Sequence, residues 1–166
     1  GSEMCIRDRY IISTVSNDMI GIEYSSSLKN IYSIMVGIAH GLGYGDNFLS
    51  VLISHCSKEM SDFIKDIHKT NRKINQSAYL GDLLVTTYSS FSRNRTFGNM
   101  IGKGYSIKSA KAEMNMIVEG YYATKNAFML SKKLSIKFLI IDFCYKILFE
   151  NKSAKRQMKE LSKYLY

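Results

Sequence analysis

At 166 residues, 46% of them hydrophobic, the chain is long enough to bury one core and short for two domains. Its formal charge of +9 suits nucleic acid, an acidic membrane or a phosphorylated metabolite alike and does not choose among them. Three cysteines, Cys5, Cys56 and Cys144, lie outside any CxxC or Cys/His spacing, which argues against a disulfide framework or zinc site and fits a reducing cytoplasm; the longest apolar run, Phe138 to Phe149, is broken by Asp142 and Lys146 and falls far short of the ~20 residues that span a bilayer.

Gly1-Ser2 has the look of a cloning remnant and Met4 to Arg9 (MCIRDR) of a translated sequencing adaptor, so residues 1–9 are set aside. Tyr10 to Val15 is a β-branched run that predicts one short strand, ended by the turn formers Ser16-Asn17-Asp18. Leu28, Ile31, Met35, Ile38 and Leu42 then recur at helical spacing, and the glycines at 41, 43 and 45 stop that helix. Asp46 or Asn47 is expected to cap a second helix running to about Ile67. From Gln76 to Arg95 small, polar and β-branched residues replace the helical period, and the segment reads as an extended loop. Further helices are expected around Thr96–Ile101, Ser106–Glu113, Gly120–Leu134, Ile136–Phe149 and Ser153–Tyr166. The last carries Lys152, Lys155, Arg156, Lys159 and Lys163, which read first as a solvated helix face. Residues 10–16 are thus expected to form a strand stub before a mainly α-helical domain over 17–166.

A few residues stand out for chemistry. Lys29 and Asn30 sit side by side in the second turn of the first helix, next to the packed positions Leu28 and Ile31; such a lysine is usually one that snorkels to the surface. Gly81-Asp82-Leu83, Thr86-Thr87 and Ser92-Arg93-Asn94-Arg95 crowd a carboxylate, hydroxyls, an amide and two guanidinium groups into one short stretch. Arginine offers a planar, permanently charged fork that matches phosphate oxygens, so this segment suits a phosphorylated ligand, although a polar surface loop leading into a helix has the same composition. Val118-Glu119-Gly120 places an acid at a helix start, where the dipole favours it. Neither Gly41 to Gly45 nor Gly98 to Gly104 has the spacing or context of a nucleotide-binding loop. His40, His55 and His68 share no metal-ligand spacing, and no metal is expected.

In order and spacing, three stretches resemble the C-terminal domain of the bacterial NAD(P)-dependent glycerol-3-phosphate dehydrogenases: IGIEYSSSLKNIYSIMVGIAHGLGYGDN, YLGDLLVTTYSSFSRNRTFG and GKGYSIKSAKAEMNMIVEGYYATK. The resemblance runs from about Asn17 to the C-terminus. It implies a mainly α, multi-helix domain like the C-terminal domain of 6-phosphogluconate dehydrogenase, with the short strand before it as the last piece of a Rossmann domain. It further implies Lys29 as the catalytic acid/base, with Asn30, Asp82, Thr86, Ser92, Arg93 and Asn94 around a small phosphorylated substrate. Arg93, Ile117 and Glu119 would touch the nucleotide of NAD or NADP. The implied reaction interconverts dihydroxyacetone phosphate and sn-glycerol 3-phosphate in the cytoplasm, for phospholipid synthesis.

That assignment is chemically coherent. Hydride delivery to a ketone builds negative charge on the carbonyl oxygen, which an ammonium can both stabilise and protonate. A neighbouring cation such as Arg93 would ease loss of the Lys29 proton, and Asp82 would oppose it. The sequence departs from the family in Tyr24-Ser25-Ser26-Ser27, where small residues are usual, and in His40, where an acid is common. With no G-x-G-x-x-G after a strand and no βαβ pattern, the nicotinamide cofactor is expected to be bound mainly by a domain absent from this chain, which alone should be inactive. The cleft face so exposed is compatible with a homodimer, and the sequence leaves the oligomeric state open. Two other readings stay in play: the helical domain of another 2-hydroxyacid-type dehydrogenase, and a basic helical nucleic-acid-binding module, which leaves the placing of Lys29, Asp82, Arg93 and Glu119 without a reason.

Overall fold

The Asp18 carboxylate accepts a hydrogen bond from the Gly21 N–H at 3.1 Å and so starts helix α1 (Met19–Gly41); a side-chain oxygen there satisfies one of the N–H groups that a helix leaves without partners. The fold is taken from a computed structural model, which describes residues 15–165. Every residue from Ile31 to Ala39 is buried, so this part of α1 is packed on all sides and is the axis of the domain. Gly43, at φ +87°, gives the left-handed turn that ends it. Helix α2 (Asp46–Ile67) follows, with Leu49, Leu52, Ile53, Cys56, Met60, Phe63 and Ile64 on its buried side.

A π-helical turn (Ser77–Gly81) leads straight into α3 (Asp82–Tyr88). After it come α4 (Arg93–Gly102), α5 (Ile107–Glu113), α6 (Glu119–Lys133), α7 (Leu139–Phe149), α8 (Ala154–Leu161) and a 3₁₀ turn (Ser162–Tyr164). The mainly α architecture is as expected, and the described residues contain no strand. The strand expected over Tyr10 to Val15 lies outside them except for Val15, which is irregular and exposed.

Helices α1 and α4 meet backbone to backbone. A Cβ built on Gly37 would lie 2.2 Å from the Arg95 carbonyl oxygen, and one on Gly98 2.1 Å from that of Ile34. One turn on, Gly41 faces Asn99 and Gly102 faces Ile38 in the same way. Two glycine pairs, each four residues apart, thus hold α4 at a separation that no larger residue permits. This contact fixes where the N-terminus of α4 stands beside α1.

Several boundaries differ from expectation. The segment Gln76–Arg95 is mostly helical because the Thr86 and Thr87 hydroxyls donate to the carbonyls of Asp82 (2.7 Å) and Leu83 (2.8 Å), four residues back; that keeps β-branched polar residues compatible with a helix. The N-cap of α2 is Gly45, without a side-chain cap, and Asp46 is already helical. Because α1 begins at Met19, Lys29 stands in its third turn rather than its second. Helix α4 starts earlier than Thr96, where the Ser92 hydroxyl accepts from the Arg95 N–H at 3.3 Å.

Helix α7 starts at Leu139 instead of Ile136 because its cap comes from another helix. The Glu59 carboxylate accepts from the Ile140 N–H at 2.7 Å and the Ile141 N–H at 3.1 Å. Burial outweighs these bonds and pushes the Glu59 carboxyl up to about 7. In α8, Met158 and Leu161 are buried while Lys155, Arg156 and Lys159 are exposed, the solvated face read from the sequence. No helix of the described residues is long and apolar enough to cross a membrane.

Candidate active site

Along one side of α1, Ser25, Lys29 and Ser33 recur every four residues, so they stack on one face. That face meets Ala78, Asp82 and Thr86, also four apart, each pair separated by 53 residues in the chain. The constant offset means that α1 and the π turn with α3 run side by side in the same direction. Ser25 Oγ bonds its own helix at the Ile22 carbonyl (2.9 Å) and lies 3.4 Å from the Ala78 carbonyl. Lys29 Nζ donates to both carboxylate oxygens of Asp82, at 2.8 and 2.7 Å. Ser33 Oγ donates to the Thr86 carbonyl at 2.9 Å.

The middle rung is the chemical one. Lys29 is 21% exposed and Asp82 37%, so the pair sits at the edge of solvent with its stems covered. An ammonium has three N–H donors and Asp82 engages two, which leaves one for an incoming oxygen. The cation expected beside Lys29 is engaged elsewhere: Arg93, the first residue of α4, has a guanidinium nitrogen 3.7 Å from a Glu119 oxygen and another 3.6 Å from the Met116 sulfur. It remains 42% exposed and open to an anion.

Asn94 closes a second bracket. Its Oδ1 accepts from the Gly120 N–H at 2.9 Å, capping α6 from outside, and its Nδ2 donates to Asn30 Oδ1 at 2.9 Å. Asn30 Nδ2 in turn donates to Glu119 Oε2 at 3.2 Å. Only glycine fits at 120, since a Cβ there would lie 2.5 Å from the Asn30 carbonyl oxygen and 2.8 Å from Asn94 Oδ1. Asn94 is buried, so its amide works inside the bracket, with one N–H left over.

The polar residues singled out from the sequence are linked through hydrogen bonds and chain neighbours: Lys29 and Asp82 through Thr86 and Ser33 to Ser92, next to Arg93 and Asn94, which join Asn30 and Glu119. Ser92 turns its hydroxyl inward, 3.0 Å from Ser33. Ile117 is 69% exposed and shares a hollow with Met114, Met116 and Tyr122 next to Glu119. Among the described residues no three His, Cys, Asp or Glu side chains group to hold a metal.

Sequence reasoning missed Ser33, hidden in an apolar stretch, and the ion pair that fastens the start of α1. Arg72 NH2 donates to Asp18 Oδ1 at 2.9 Å, and Arg72 Nε and the Tyr79 hydroxyl both bond Oδ2. The guanidinium holds the Asp18 carboxyl well below the usual carboxylate range. The four-residue recurrence of Ser25, Lys29 and Ser33 was the available signal for the ladder. Nothing local announced the pairing of Arg72 with Asp18.

Solved structures give the class. The chain is similar to crystalline glycerol-3-phosphate dehydrogenase from Coxiella burnetii, with a TM-score of 0.88 and 32% identity over 96% of this chain and 50% of that one. The enzyme from Saccharomyces cerevisiae matches in fold alone, with a TM-score of 0.81 at 20% identity over 89% of this chain and 44% of the other. The described residues share the all-α domain fold of these structures. Residues 18–159 match the family model of the NAD-dependent glycerol-3-phosphate dehydrogenase C-terminus, and the chain belongs to that family. Relatives named glycerol-3-phosphate dehydrogenase [NAD(P)+] include those of Chlorobium phaeobacteroides, 40% identical over 89% of this chain, and Fusobacterium nucleatum, 41% identical over 88%. The chain spans 44% of the length of each.

Proposed function

We propose that this domain binds dihydroxyacetone phosphate or sn-glycerol 3-phosphate and supplies the acid/base lysine for their interconversion, within an NAD- or NADP-dependent glycerol-3-phosphate dehydrogenase. The observation that carries the reading is the Lys29–Asp82 pair, linked through Thr86, Ser33 and Ser92 to the N-terminus of α4, where Arg93 stands. Asp82 orients the ammonium, and the remaining N–H of Lys29 meets the carbonyl oxygen and transfers its proton as charge grows there. Hydride is the chemistry that the nicotinamide cofactor supplies when bound. Arg93 and the first-turn amides of α4 receive the phosphate, since a helix N-terminus and a guanidinium both favour a doubly charged anion. Ser92 contributes by capping that helix, Thr86 by holding α3 beside α1, and the Asn30–Asn94 bracket by keeping α4 and α6 together. Arg93, Ile117 and Glu119 form the edge offered to the nucleotide.

The same reading puts the enzyme in the cytoplasm, in keeping with the unpaired, buried thiols of Cys56 and Cys144, with a phosphorylated metabolite rather than nucleic acid as its partner. A homodimer is compatible with it. The test is NAD(P)H oxidation by dihydroxyacetone phosphate in a full-length enzyme carrying this domain. Lys29→Ala is expected to cut turnover by at least about 100-fold, and Arg93→Ala to weaken substrate affinity. An enzyme that binds cofactor but ignores this substrate belongs to another dehydrogenase of the same architecture.

A further inference from the structure

Ser33 is fully buried in α1, yet its hydroxyl does not return to its own helix, the usual recourse of a serine there. It donates to the Thr86 carbonyl at 2.9 Å and lies 3.0 Å from the Ser92 hydroxyl. Counting protons settles the direction. Ser33 has one hydrogen, given to Thr86, so Ser92 donates to Ser33, and Ser92 Oγ is left to accept from the Arg95 N–H at 3.3 Å. Three hydrogen bonds run head to tail, from an amide in the first turn of α4, through two hydroxyls, to a carbonyl in the last turn of α3.

Both ends of this relay are groups that a helix cannot satisfy internally: Arg95 lies in the first turn of α4 and Thr86 is two residues from the end of α3. The relay therefore splints the short connection from Ser89 to Ser92, whose Phe91 is 94% exposed and packs against little. Asp82 stands at one end of the splinted unit and Arg93 at the other. Buried bonds in series polarise one another, so removing the middle member loosens the whole chain rather than one contact.

We infer that Ser33 is a positioning residue, which holds the Lys29–Asp82 pair and the Arg93 end of α4 at one fixed separation and so sets how well a phosphorylated ketone spans the two. This rests on the functional reading above. The experiment is a double-mutant cycle of Ser33→Ala and Arg93→Ala in the full-length enzyme, followed by steady-state kinetics with dihydroxyacetone phosphate, with thermal melts of each variant and assays well below their midpoints. Ser33→Ala is expected to raise KM for this substrate about tenfold, the scale of one buried hydrogen bond, with kcat nearly unchanged. In the Arg93→Ala background the same change is expected to add less than about twofold, because the group that Ser33 positions is gone. Equal effects in both backgrounds, or a lowered melting midpoint with unchanged KM, make Ser33 merely structural and overturn the inference. A wild-type enzyme that does not reduce dihydroxyacetone phosphate overturns the functional reading itself, a distinct result.

Discussion

Replacing Glu59 by glutamine is expected to remove a pH dependence of stability that the wild-type chain carries between its ordinary carboxyl value and neutrality. Burial pushes the Glu59 carboxyl from 4.5 up to about 7 in the fold. A group so raised keeps its proton in the folded state over a window in which the unfolded chain has already released it. Folding stability from this group is therefore full below pH 4.5 and falls as pH climbs, levelling off above 7. The displacement corresponds to about 3 kcal/mol, a large share of the stability of a domain this size. Glutamine keeps an oxygen for the amides of Ile140 or Ile141 and carries no titrating proton. Urea denaturation at steps from pH 4.5 to 8 should show the stability difference moving in favour of Glu59→Gln by about 3 kcal/mol across the window, with equal m-values. A difference that stays constant, or moves the other way, would mean that the two helix N–H bonds outweigh burial and that the carboxylate is ionised throughout.

Gly98→Ala should force α1 and α4 apart, since the new methyl would lie 2.1 Å from the Ile34 carbonyl oxygen; a loss of about 3 kcal/mol or more is expected, beyond the ~1 kcal/mol that alanine gains in a helix interior. A calorimetric midpoint equal to that of the wild type would show that the two backbones are not in contact. Arg72→Ala leaves the largely covered Asp18 carboxylate without its cation and should cost about 2 kcal/mol at neutral pH. Because the Asp18 carboxyl is held down in the fold, its contribution is present above the ordinary carboxylate range and is lost as pH falls through it, so chemical denaturation should find the wild type losing more stability on acidification than Arg72→Ala.

What the sequence made legible follows from where local signals coincide with tertiary ones. The interior of α1 and all of α2 carry long apolar periods, and the glycines after α1 supply a turn, so both were readable. Helix α3 was not. It has seven residues and buries only Leu83 and Thr87, too short for a period to show. The start of α7 was misplaced for another reason: Glu59 caps it from a helix some eighty residues earlier, and no local rule reaches that far. Lys29, Asp82 and Arg93 drew notice as residue types, but a lysine beside an apolar face and a polar segment each have ordinary explanations. The meeting of Lys29 with Asp82 depends on the offset of 53 residues, which only the packing of α1 against α3 provides.

Helix α1 gives the site its rigidity because its contacts on two sides leave no slack. Towards α4 the glycines bring the backbones together, so a move of either helix closer to the other would strike carbonyl oxygens. Towards α3 the contact is a ladder with one rung per helical turn, and a slip of one residue would turn Lys29 away from Asp82. The two sides are linked at Ser33, where the hydroxyl relay joins the end of α3 to the cap of α4. A change in the glycine contact should therefore reach the lysine pair through Ser92 and Thr86, without any residue there being altered. The same coupling explains why the polar residues of the site could sit on short, poorly packed elements: α3 and the first turn of α4 take their order from α1, and the connection between them can leave Phe91 in solvent.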